Sequence, residues 1–131
     1  MTTHWLPQLD PQSPTPIYEQ ILEAVAIAVS TGALRAGDPL PSIRQLATEL
    51  RLNPNTTARA LRALEREGLI RGIRGIGTVV TDDAAELAGP LAGQALRREL
   101  TAAVDIARRM GLGWKELRNA LKEEWEDKHV D

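Results

Sequence analysis

Residues 42–68 read SIRQLATELRLNPNTTARALRALEREG, and their punctuation predicts two helices separated by a short turn. Ser42 and Gln45 have the spacing of a capping box, in which the hydroxyl accepts from the Gln45 amide and the Gln45 side chain reaches back. Ile43, Leu46, Ala47 and Leu50 then form the inner face of a short helix that stops near Arg51-Leu52. Asn53 is a cap and Pro54 suits the first position of the next helix, which Gly68 ends as a left-handed terminator. At about 100° per residue from Asn55, the side chains of Asn55, Arg59, Arg62 and Arg66 fall between about −20° and 40°. Thr57, Ala60, Leu61 and Leu64 fall between about 140° and 240° and mark the core face. A solvated helix interleaves acids with its basic residues, yet Glu65 and Glu67 lie off the arginine stripe.

Downstream, Leu69–Gly72 and Thr78–Thr81 alternate like two short strands around Ile73-Arg74-Gly75-Ile76-Gly77, a glycine-bent hairpin. Upstream, Thr15 is a cap and Pro16 a first helical residue for an apolar face built from Ile17, Tyr18, Ile21, Leu22, Val25, Ala28 and Val29 and ended by Gly32. The order helix, helix, turn, helix, hairpin is that of a helix-turn-helix followed by a β wing. In such proteins the second helix of the pair, here the one with the arginine stripe, enters the major groove.

The flanks differ in kind. Residues 1–14 hold Pro7, Pro11 and Pro14 among polar residues and read as an extended arm. Beyond Asp82-Asp83 the chain returns to helix, with Gly89-Pro90 as a break or a start. One apolar stripe then runs through Leu91, Ala95, Leu96, Leu100, Ala103, Val104, Ala107 and Met110, and after Gly111-Leu112-Gly113 another through Trp114, Leu117, Leu121 and Trp125. Two amphipathic helices in so short a tail cannot bury both stripes on each other, and a second copy of the chain is the simplest cover. Leu100, Val104, Ala107, Trp114, Leu117, Leu121 and Trp125 are the expected dimer contacts. The fold class is mainly α with a small β wing: arm 1–14, winged helix-turn-helix 15–81 (helix-turn-helix about 42–67, wing about 69–81) and a two-helix dimerisation segment 82–131.

Composition removes most alternatives. The 131 residues are 43% hydrophobic and 26% charged, the balance of a folding globular chain. There is no cysteine, and the two histidines, His4 and His129, sit at opposite ends, so disulfides, thiolate chemistry and a His/Cys metal site are not expected. No nucleophile is placed with a base, so no enzyme and no cofactor are expected. The longest apolar run, Ala24–Val29, is too short for a membrane span, and Met1-Thr2-Thr3-His4-Trp5 is no leader, which points to the cytoplasm. Aromatic residues are 3% of the chain, too few for single-strand stacking platforms. The net charge of −2 conceals −3 over residues 1–31, +4 over 32–81 and −3 over 82–131, and every basic residue of the middle segment is arginine. The planar fork of that side chain matches phosphate and guanine edges.

Several separate motifs occur in order: Leu34-x-x-Gly37-Asp38-x-Leu40-Pro41-Ser42-x-Arg44-x-Leu46-Ala47, Asn53-Pro54-Asn55-Thr56, Ala60-x-x-x-Leu64-Glu65-x-x-Gly68 and Gly75-x-Gly77-Thr78-x-Val80. Together they resemble the winged helix-turn-helix of GntR-type bacterial transcription regulators over about residues 15–81. The opening Pro16-Ile17-Tyr18-Glu19-Gln20-Ile21 and the short tail look like the YtrA-type subgroup, whose members dimerise through two C-terminal helices. The resemblance implies a homodimeric regulator, in its simplest form a repressor, on a pseudo-palindromic double-stranded operator. It implies DNA contacts from Ser42 and Arg44, recognition by Asn55, Thr56 and Arg59, and a wing tip at Gly75 near the minor groove. Arg62, on the same stripe, and Arg74, beside the wing tip, join the expected DNA-binding set. Three positions depart from the pattern. Ala58 stands where many relatives have arginine, which moves base contact onto Arg59 and Arg62. Thr57 replaces a usual buried valine, and Ile76 takes a place where basic or polar residues are common. A tail of this length has no room for a larger ligand-binding domain, and the effector is unknown. The alternative is a winged-helix protein-interaction module without specific DNA binding, against which the acid-free arginine stripe argues.

Overall fold

A computed structural model describes Trp5, Leu6 and residues 8–128; His4, His129 and Pro7 of the arm lie outside the described residues. The elements follow in the order α1 (Ile17–Ser30), α2 (Ile43–Leu50), α3 (Pro54–Arg66), β1 (Ile70–Ile73), β2 (Gly77–Val80), α4 (Ala84–Arg109) and α5 (Trp114–Lys128). They fall into two compact units, Met1–Gly93 and Gln94–Asp131, with α4 running through the division.

Local chemistry sets the helix ends. The Ser42 hydroxyl accepts from the Gln45 amide at 3.1 Å while the Ser42 amide donates to Gln45 Oε1 at 3.0 Å, completing the expected capping box. Asn53 Oδ1 accepts from the Asn55 amide at 2.8 Å, with Pro54 first in α3. Gly68 adopts φ 85°, and a Cβ there would lie 2.9 Å from Leu87 Cδ1. The start of α1 differs from expectation. Pro16, not Thr15, is the cap, and its carbonyl accepts from the amides of Glu19 and Gln20. The Thr15 carbonyl accepts instead from Gln20 Nε2, and the same amide side chain closes two bonds with the Asp10 backbone. Gln20 thereby ties residues 10–15 to the first turn of α1.

Ile21, Val25, Ala28 and Val29 of α1 are buried, as are Leu46 and Ala47 of α2. α3 packs on both α1 and α2. Being gripped from two sides, it buries Ala63 together with Thr57, Ala60 and Leu64, so the covered face is broader and rotated relative to the expected one, and Leu61 is only half-buried. Ile43 is exposed, not part of the inner face of α2. The core continues through Leu34, Leu40, Leu69, Ile70 and Val80 to Ala84 and Ala88 at the start of α4. Trp5 also belongs to it at 8% exposure, so the arm is anchored. Pro90 neither breaks nor starts a helix: α4 begins six residues earlier, where Ala84 and Ala88 are fixed by the core and Asp83 accepts from the amides of Glu86 and Leu87.

The strands pair antiparallel in the register Ile70↔Val80 to Ile73↔Gly77, one residue off the expected spans, which leaves a three-residue tip at Arg74-Gly75-Ile76. A third segment joins them. Pro39 bridges Val79, Gly37 donates to the Val80 carbonyl, Val80 to Asp38 and Leu40 to Thr78.

Thr57 is fully buried on α3, and its hydroxyl has no hydrogen-bond partner. An unsatisfied buried hydroxyl costs about 1–3 kcal/mol, while an apolar group of the same shape does not. Thr57→Val is therefore expected to stabilise the protein by about 1 kcal/mol, read as a thermal midpoint raised by several degrees with DNA affinity unchanged. A lowered midpoint would show that the hydroxyl is satisfied in solution.

In the second unit α4 ends at Arg109 and is terminated by Gly111, φ 75°, after which the Leu112 amide reaches the Ala107 carbonyl at 2.9 Å. Gly113 opens α5, donating its amide to Glu116 Oε1 at 2.8 Å. Among the described residues no helix is long and apolar enough to cross a membrane.

Candidate nucleic-acid interface

The candidate site is built from helix ends, one helix face and the hairpin. The capping box satisfies Gln45, leaving the amides of Ile43 and Arg44 at the N-terminus of α2 without intrahelical acceptors, a polarity suited to phosphate. The Ser42 hydroxyl oxygen accepts within that box. Arg44 is exposed in the first turn. Across from it, α3 presents Ala58, Leu61, Arg62 and Glu65, and the wing presents Gly72 and Ile76. Between them lies an open groove of about 610 Å³ that brings Ser42, Arg44 and Arg62 together.

Asn55, Thr56 and Arg59 do not line that groove. Asn55 is exposed at the start of α3, and Thr56 is half-buried with its amide bonded to the Asn53 carbonyl at 3.0 Å. Arg59 faces α1, where its guanidinium carbon lies 4.0 Å from the centroid of the Tyr18 ring. The exposed surface of α3 is thus divided into an Arg62 side and an Arg59 side. Arg74 and Gly75 are exposed at the wing tip, Gly75 at φ 84° and Ile76 at 72% exposure beside it.

Among the described residues none of the eight arginines between 32 and 81 forms an ion pair with a carboxylate. All eight are exposed to water, and their charge is available to an anionic partner at the cost of mutual repulsion. Two features escaped the sequence reading. Glu65 borders the groove beside Arg62, a neighbour visible in the i,i+3 spacing. Tyr18 carries no local signal, since its partner is forty-one residues away.

In the second unit Leu100, Val104, Trp114, Leu121 and Trp125 of the expected dimer contacts are exposed and Leu117 is half-buried. Ala107 is buried at 6% exposure and lies beneath that surface, not on it. Leu96 and Met110 extend the exposed apolar set.

A helix pair with a basic outer helix and a β wing defines the class: a winged helix-turn-helix, DNA-binding transcription regulator. The model of the gntR family of bacterial regulatory proteins matches residues 17–80, and the chain belongs to that family. It is 48% identical over 77 residues, 59% of this chain and 59% of the relative, to the HTH-type transcriptional repressor YtrA of Bacillus subtilis. It is 33% identical over 111 residues, 85% of this chain and 91% of the relative, to the HTH-type transcriptional regulator YhcF of the same organism. A solved GntR family transcriptional regulator from Listeria monocytogenes superposes with a TM-score of 0.70 at 30% identity, covering 88% of this chain and 98% of that one.

Proposed function

We propose that the chain acts in the cytoplasm as a homodimeric repressor that occludes a promoter. The observation that carries this is the set of exposed arginines without carboxylate partners on α2, α3 and the wing, of which Arg44 and Arg62 line one groove. In this reading each α3 enters a major groove of a pseudo-palindromic operator, the two half-sites about 34 Å apart. Asn55, Thr56 and Arg59 discriminate bases. Ser42 aims the α2 amides at phosphate, with Arg44, Arg62 and Arg74 supplying affinity, and Gly75 lets the wing backbone approach the minor groove. Residues 15–81 read the DNA, residues 82–131 hold the two copies together and residues 1–14 form the arm. Repression is supported by the similarity to the Bacillus subtilis repressor.

Selection of bound duplexes from a random pool tests the reading. A two-fold symmetric sequence with half-sites about one helical turn apart is expected, bound with an affinity that falls steeply as salt rises. Recovery of no preferred sequence, with no salt-dependent binding, would favour a winged-helix module for protein partners.

A further inference from the structure

Arg59 is exposed on α3, forms no ion pair with a carboxylate and makes one aromatic contact, over the ring of Tyr18 in the first turn of α1. The nearest acid in sequence to that ring, Glu19, accepts from the Tyr18 hydroxyl at 3.3 Å, so it serves the phenol. A contact made through the ring face consumes no guanidinium hydrogen bond. Arginine is otherwise a long side chain with several freely turning bonds, and ordering it on DNA costs conformational entropy. The ring is itself held, because Tyr18 is half-buried on a helix that packs directly on α3 and is tied at its start by Gln20.

We propose that Tyr18 is a positioning residue for base recognition: its ring face holds the Arg59 guanidinium beside α3 with all five N–H donors free for a base edge. The inference rests on the reading of Arg59 as a base-contacting residue. Specificity at one base pair is then set by two helices, α3 supplying the fork and α1 the platform. It also gives the apolar stripe of α1 an aromatic member whose function is electrostatic. Leucine or methionine would fill the volume but present no negative ring face, whereas phenylalanine would keep it.

The test uses the full chain, the duplex recovered by selection and the same duplex substituted at each half-site position. Arg59→Ala is measured first, to find the base pair it discriminates. Tyr18→Leu and Tyr18→Met are expected to reduce discrimination at that pair by about two- to fivefold, the size of an exposed cation–π contact. Tyr18→Phe is expected to retain it, and none of the three changes should alter the salt slope. In the Arg59→Ala background, Tyr18→Leu should have no further effect on discrimination. Thermal unfolding of each variant checks the fold, and Tyr18→Met carries the test if Tyr18→Leu does not fold. If Arg59→Ala leaves the preferred sequence unchanged, the reading of Arg59 falls and the positioning role with it. If Arg59→Ala shifts the preference but Tyr18→Met does not, or if the two changes add independently, the positioning role alone is overturned.

Discussion

Leu100→Glu combined with Val104→Glu is expected to leave the protein folded, to make it sediment as a monomer and to lower its affinity for a symmetric duplex by about a hundredfold or more. Both side chains are exposed, at 43% and 38%, so the charges meet water in the single chain and the fold has little to lose. In a dimer they would be buried, and an unpaired carboxylate in an apolar contact is costly enough to displace association. The exposed neighbours Leu96, Met110, Trp114, Leu121 and Trp125 are too many large apolar groups to be chance surface residues. The affinity loss has a separate origin. Two linked half-site contacts bind by avidity, and separating them leaves each protomer with one half-site. Sedimentation and titration of whole and half operators check both parts. A double variant that remains dimeric would move the interface elsewhere.

Arg59→Ala should lower affinity for the preferred duplex by about ten- to hundredfold and relax preference at one base pair per half-site. Arg62→Ala should weaken all sequences nearly equally and reduce the salt slope by about one unit. The difference follows from placement: Arg62 opens on the groove it shares with Arg44, while Arg59 lies on the opposite shoulder of α3 against α1. Arg59→Lys should fail to restore preference, because an ammonium has no planar fork. Competition binding with single-pair substitutions measures each effect. Uniform weakening by Arg59→Ala would reduce that residue to a phosphate contact.

What was legible in the amino-acid order was mostly what is local. The Ser42–Gln45 box, the Asn53 cap with Pro54 and the left-handed Gly68 are bonds or conformations whose partners are no more than three positions apart, and each stands where the spacing puts it. The exposure of Arg59, Arg62 and Arg66 on α3 followed from helical period, whereas the turning of Arg59 toward α1 and of Arg62 toward the groove did not. Misplaced features depend on partners distant in sequence. Trp5 is in the core, Tyr18 lies under Arg59 and Pro39 bridges Val79, all contacts that no window of fifteen residues contains. The covered face of α3 was drawn too narrow for a related reason. One helical period shows one face, and α3 is pressed by two neighbours, so Ala63 goes inside as well. Pro90 misled in the opposite direction, because a local rule against proline yields where the core anchors the preceding turn.

The segment Gly37–Leu40 is stitched to β2 by three backbone hydrogen bonds of 2.8–2.9 Å, immediately before Ser42 begins α2. The hairpin and the first helix of the pair therefore share one frame. A chimera meant to carry this wing into another regulator would have to transplant residues 37–40 along with residues 69–81. Moving the hairpin alone would strand the carbonyls of Thr78 and Val80 and the amide of Val80 beside a foreign loop, and the transplanted tip would be misaligned.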